Sequence, residues 1–152
     1  MLKTFTIDDI RSWKPCYDPA KHLPENWVGT VIDILRHNTI PAADKLWVVL
    51  RDELIDSKTL RLFAVWCARQ VEHLLTDERS KNALTVAEKF ANGIASQSEL
   101  EAAWDAASAA AWDAVSAASA ARAAVSDART AAWDAQFNHL ITMITEQQVN
   151  NA

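Results

Sequence analysis

Histidine and cysteine side chains can bind metal ions or act as nucleophiles, and the sequence scatters six of them: Cys16, His22, His37, Cys67, His73 and His139. No two histidines stand three or four residues apart, the spacing that puts two imidazoles on one helix face. Cys67 falls on the apolar face of a predicted helix, where a free thiol usually packs as a small hydrophobic group. We therefore predict no metal site, and an enzyme using these residues is a minor alternative.

The sequence also lacks the residue patterns of other common catalytic sites. Adjacent carboxylates such as Asp8 and Asp9 diverge on a helix and do not converge on one substrate. Phosphate-binding loops need several glycines, and the chain has two, Gly29 and Gly93. We predict no catalytic residue, no cofactor and no enzymatic activity.

The composition predicts one helical domain over all 152 residues. Half of the residues are hydrophobic, and two glycines and four prolines leave few places to turn, which favours long helices. Two cysteines are too few for a disulfide framework, and the first residues lack the apolar stretch of a signal peptide, so we expect a cytoplasmic protein. Polar residues interrupt every long apolar run, so we expect no membrane partner.

The net charge of -5 lies entirely in the last part of the chain. Residues 94–152 contain seven acidic side chains and two basic ones, Arg122 and Arg129. Nucleic-acid binding depends on a basic surface that neutralises phosphates, so we expect no direct nucleic-acid partner.

Residues 1–29 are predicted as an irregular arm with one short helix, and residues 30–93 as a helical body. Thr6 and Asp9 have the spacing of a capping box, Asp77 is a predicted N-cap, and Gly93 marks a left-handed helix stop. The predicted helices cover residues 7–13, 30–37, 41–54, 58–75 and 78–92. Apolar residues at helical spacing are predicted to form the structural core: Trp47, Leu50, Phe63, Trp66, Cys67, Val71 and Phe90.

Residues 94–152 form an alanine-rich segment without glycine or proline. Ser98 and Glu101 predict a capping box at its start. A helix running unbroken to Gln148 would be roughly 75 Å long at about 1.5 Å per residue, longer than a domain of this size. We predict a helical hairpin with its corner between Ser116 and Asp127, and the alternative is a single protruding helix.

A Trp-Asp-Ala unit recurs in this segment, and it predicts a surface for a protein partner. On a continuous helix Trp104, Trp112 and Trp133 would fall within an arc of roughly 80°, at about 100° per residue. Aromatic anchors dominate interface energetics, and the neighbouring acids would attract a basic partner. The candidate partner-binding residues are Glu101, Trp104, Asp105, Trp112, Asp113, Asp127, Trp133 and Asp134. Small alanines also let two helices approach closely, so a homodimer through these helices is an alternative.

The block Ile40 to Gly93 contains a Leu-Trp pair, the stretch LRLFAVWCARQV, an Asp/Arg/Ser turn and an alanine-rich helix closed by ANG. Followed by the alanine- and tryptophan-rich tail, this pattern resembles the immunity-protein family associated with bacterial polymorphic toxin systems. The resemblance covers roughly Trp13 to Leu140, although tails in that family carry more arginines. It implies a non-enzymatic inhibitor that occludes a toxin or, in a phage-borne member, a component of a host defence system. A self-assembling helical scaffold is the alternative.

Overall fold

The computed structural model describes the backbone of residues 2–115 and 126–150, and the side chains of residues 2–108 and 132–150. These residues are mostly helical, which confirms the predicted all-α multi-helix fold. The elements are β1 (Phe5–Thr6), α1 (Ile7–Ser12), β2 (Val28–Gly29), α2 (Val31–Arg36), α3 (Ala42–Val49), α4 (Ser57–Arg69), α5 (Glu78–Ala91), α6 (Gln97–Val115) and α7 (Ser126–Asn150). The predicted hairpin corner concerns residues 116–125, which lie outside the described ranges, so the hairpin and the single long helix both stay predictions.

The chain divides into two compact units. The first, called the terminal unit, contains Met1–Asp56 and Phe137–Ala152, and the second, called the central unit, contains Ser57–Gln136. Neither boundary falls at residue 29 or 93, where the sequence predicts the arm, body and tail to meet. Among the described residues, no helix combines the length and the hydropathy that crossing a membrane requires.

In the terminal unit, local hydrogen bonds start the helices. The Asp9 carboxylate accepts from the Thr6 backbone N–H at 2.7 Å, and the Thr6 hydroxyl oxygen accepts from the Asp9 N–H at 3.1 Å. This capping box confirms the predicted helix start. Thr30 and Asp33 form a second capping box at α2.

The arm also contains a short antiparallel ladder that the sequence analysis missed. Phe5 pairs with Gly29 and Thr6 with Val28. Two-residue strands are too short to show the alternation that identifies a strand in a sequence. A Cβ atom at Gly29 would clash with the Trp27 ring, so any other residue there would force that ring to shift.

The core of the terminal unit consists of large aliphatic side chains. The most completely buried are Ile7, Ile10, Val31, Ile34, Val48, Val49 and Leu140. Trp47 and Leu50, predicted as core, are exposed, and the helix predicted to reach Leu54 ends at Val49. Val48 and Val49 occupy the inward face of α3. The residues on either side of this pair, Trp47 and Leu50, therefore point outward. Trp47 instead stacks on the Arg51 guanidinium, which lies 4.3 Å from its ring centroid.

In the central unit, the helix predicted over residues 58–75 ends at Arg69, and a 3₁₀ turn over Glu72–Leu74 follows. Phe63 is buried as predicted and stacks on Trp66, with ring centroids 6.4 Å apart. Val71, also predicted as core, is 49% exposed because it lies beyond the end of α4. Trp66, Cys67 and Phe90 are half-buried.

The predicted start and end of α5 are confirmed, and the predicted start of α6 shifts. The Asp77 carboxylate accepts from the Arg79 N–H at 2.8 Å and caps α5, and Gly93 ends that helix region with φ of +73°. The capping box of α6 uses Ser96 and Glu99, so the predicted pair Ser98 and Glu101 is wrong by two residues. The sequence contains both Ser-x-x-Glu pairs, and the pair nearer the Gly93 turn caps the N-terminus of α6.

Candidate functional site: an apolar groove in the central unit

An apolar groove with a volume of about 410 Å³ lies on the helices of the central unit. Helix α5 contacts both α4 and α6, so it forms the middle of the three. Four of its residues line the groove: Ser80, Ala83, Leu84 and Ala87. They stand at i, i+3, i+4 and i+7, which places them along one stripe of the helix. Three of the four side chains are small, so they leave a depression along this face of α5.

Residues from the two neighbouring helix regions form the rest of the lining. Ala68 is on α4, and Val71 and Leu75 flank the 3₁₀ turn that follows it. On the other side, α6 contributes Leu100, Trp104, Ala107 and Ser108. The lining is therefore apolar except for two serines.

Trp104 is the most exposed large side chain of the groove. It is 71% exposed, although it has the largest apolar surface of any residue type. Removing apolar surface from water is favourable by roughly 25 cal/mol per Å², so covering this ring would favour a complex. Exposed aromatic and aliphatic groups gathered in one patch mark an interaction surface, whereas scattered ones are ordinary.

The groove has an acidic rim on α6. At about 100° per residue, Glu101 and Asp105 lie about 60° and 100° from Trp104, on the same side as Ser108. Both are exposed, and Glu101 accepts a hydrogen bond from the Gln97 amide at 2.9 Å. No lysine or arginine occurs between Ile94 and Ala121, so no basic residue of this stretch offsets their charge.

Carboxylates on the α4 and α5 side are paired with basic groups. Arg69 bridges Glu72 at 2.8 Å and Glu88 at 2.9 Å. Lys81 pairs with Glu78 at 2.6 Å. The charge of the three helices is therefore asymmetric: α4 and α5 together carry six basic and two acidic residues, whereas α6 carries four acidic residues and no basic one.

The described residues contain no group of three or more histidine, cysteine or acidic residues that could hold a metal ion. Burial raises the pKa of the Cys67 thiol, which disfavours the nucleophilic thiolate. Burial also lowers the pKa of His139, in the terminal unit.

The structure brings together three of the eight candidate partner-binding residues, namely Glu101, Trp104 and Asp105. Trp133, which is half-buried, and Asp134, which is exposed, lie on α7. The side chains of Trp112, Asp113 and Asp127 lie outside the described residues.

The sequence predicts none of the other groove residues as partner-binding, and it predicts Val71 as core. Ala83, Leu84 and Ala87 follow the periodicity of a core-facing stripe, yet they are half-buried. One signal could have found them, since a stripe of small residues on a helix leaves space where a larger side chain would fill it. Val71 and Leu75 gave no such signal, because they continue the apolar pattern of α4 beyond its end.

Comparisons with protein families, with curated proteins and with solved structures find no significant match to this chain.

Proposed function

We propose that this protein is a non-enzymatic, protein-binding inhibitor that occludes its target through the groove of the central unit. The exposure of Trp104 beside an apolar groove carries this proposal. Together they form a surface that gains free energy when an apolar partner covers it.

Hydrogen bonds that hold the connection between two of the groove helices favour such a role. The α5 to α6 connection is closed by hydrogen bonds from the Gly93 N–H to the Phe90 carbonyl at 2.9 Å and from the Ile94 N–H to the Lys89 carbonyl at 2.8 Å. The Ser96 and Glu99 capping box follows directly. A surface held in place before binding loses little conformational entropy in the complex, so more of the contact energy appears as affinity.

The proposed target is a bacterial toxin or a defence-system component, encountered in the cytoplasm. The resemblance to immunity proteins supports this part, because the block that carries it, Ile40 to Gly93, includes α4 and α5. These helices supply one wall and the floor of the groove. Inhibition would then be steric, with the target's functional surface covered by the bound helices.

The test is affinity purification from the producing organism or its host, with wild-type protein and a Trp104→Ala variant. We expect one stoichiometric protein partner with the wild type and its loss with the variant. Val149→Ala is the matched control, because Val149 is 72% exposed and lies in the terminal unit, so it should retain the partner. Recovering no partner under several conditions, or equal recovery with all three proteins, contradicts the proposal.

The self-assembling scaffold is the second candidate, and exposed apolar residues on α6 and α7 favour it. Trp104 and Val149 could be covered by further copies of the chain. Light scattering over a range of protein concentrations separates the two functions. A stable monomer is incompatible with the scaffold, whereas mass that grows with concentration and falls in Trp104→Ala supports it.

A further inference from the structure

We propose that the groove binds a basic amphipathic α-helix of the target, with lysine or arginine side chains placed beside Glu101 and Asp105. This inference rests on the proposed function and specifies the chemistry of the partner.

The shape of the groove indicates a helix. All of its lining except Val71 and Leu75 belongs to α-helices, whose backbone groups are hydrogen-bonded internally, so these helices offer no strand edge to which an extended peptide could add. In helix-in-groove recognition, the bound helix inserts apolar anchors at i, i+3, i+4 and i+7. On α5, the small side chains of Ser80, Ala83 and Ala87 permit the interaxial distance of about 8 to 10 Å found between packed helices.

The charge of the rim specifies the charge expected on the partner helix. Glu101 and Asp105 stand one turn apart on α6, a rise of about 6 Å at 1.5 Å per residue. A partner helix lying along the groove with two basic residues one turn apart would match both carboxylates. On the opposite side, Glu72 and Glu88 are bridged by Arg69, so the strongest attraction lies on the α6 side. The partner helix is therefore expected to be apolar on the groove face and basic on one flank.

The experiment is a selection from a display library of helical peptides about four turns long, roughly 15 residues. Apolar residues are fixed at i, i+3, i+4 and i+7, and the flanking positions are randomised over acidic, basic and neutral residues. The library is selected on the wild-type protein, on Trp104→Ala and on the charge-reversed variant Glu101→Lys/Asp105→Lys. We expect lysine and arginine to be enriched on one flank with the wild type, acidic residues with the charge-reversed variant, and no enrichment with Trp104→Ala.

A peptide selected on the wild type then tests the two carboxylates together by fluorescence anisotropy. Glu101→Gln/Asp105→Asn should weaken its binding about tenfold at low ionic strength, and added salt should reduce this difference because it screens exposed charges. Asp52→Asn/Glu53→Gln is the matched control, since it removes the same charge from exposed positions of the terminal unit and should leave binding unchanged.

Three results would overturn the inference: selected peptides without a charge preference, a preference that does not invert on the charge-reversed variant, and no enrichment at all on the wild type. A homodimer that the selected peptide cannot dissociate would also overturn it, in favour of a second copy. In each case the proposed function is judged separately, by whether the purified target still depends on Trp104.

Discussion

The two units of this protein differ in how they treat apolar side chains. The terminal unit buries isoleucine, valine and leucine almost completely, as at Ile34 and Leu140, both 0% exposed. The central unit has fewer large aliphatic residues, and its alanines leave a groove beside an exposed tryptophan. Large branched side chains fill the space between elements, whereas alanine contributes little buried area. Composition along the chain therefore separates a region whose core is filled from one that leaves an apolar groove open.

The largest expected effect is Leu140→Ala, which attacks the filled core of the terminal unit. Removing a fully buried leucine side chain costs its transfer free energy and leaves a cavity, so we expect a loss of about 3 to 4 kcal/mol in the free energy of unfolding. Urea denaturation followed by circular dichroism measures it. Val149→Ala on the same helix should change stability by less than about 0.5 kcal/mol. Equal effects of the two variants would show that the core is misplaced.

The next effect tests which aromatic side chain supports the central unit. Phe63 is 3% exposed, whereas Trp66, which stacks on it, is half-buried. We expect Phe63→Ala to cost about 3 kcal/mol and Trp66→Ala about 1 to 2 kcal/mol, because less of the tryptophan leaves water on folding. The two variants are compared by urea denaturation, and the reverse order would contradict the burial of the α4 face described above.

A smaller effect concerns pH and the start of α5. Hydrogen bonds from the Arg79 side chain and backbone lower the pKa of Asp77 from 3.8 to about 2. Because the pKa is lower in the folded state, the ionised carboxylate stabilises the fold above pH of about 4, and this contribution disappears as the pH falls from about 4 to about 2. Urea midpoints measured across this interval should fall less steeply in Asp77→Asn than in the wild type. Asp52→Asn, a control outside α5, should keep the wild-type slope.

The smallest expected effect on stability is that of Trp104→Ala, and it sharpens the comparison between the units. A side chain that is 71% exposed contributes little to folding, so we expect a change below about 0.5 kcal/mol. The same substitution should abolish partner binding in the affinity purification. A large loss of stability would show that Trp104 supports the fold and is not held available for a partner.

Local signals were the most reliable part of the sequence prediction. The Thr6 and Asp9 box, the Asp77 cap and the Gly93 stop each depend on atoms within a few residues of one another, and the structure confirms all three. The α6 start was displaced because two overlapping Ser-x-x-Glu pairs satisfy the same rule. Choosing between them requires knowing where the preceding turn ends.

Burial was predicted less well, and the errors share a cause. Trp47, Leu50 and Val71 have the spacing of core residues, but helical periodicity shows only that apolar residues share a face. Whether that face is covered depends on which element packs against it. Part of the candidate site was predictable, since Trp104 and its acidic neighbours were found from the Trp-Asp-Ala pattern. The groove beside them was not, because residues from α4, α5 and α6 build it together.

The sequence by itself determined the helical class of the protein, most helix starts and the acidic character of its last part, because these follow from composition and from hydrogen bonds between near neighbours. Only the tertiary structure decided that α4 ends at Arg69, that Trp47 lies at the surface and that Trp104 borders an apolar groove. These features depend on contacts between residues distant in the chain, and an apolar side chain is a core residue or a binding residue according to what covers it.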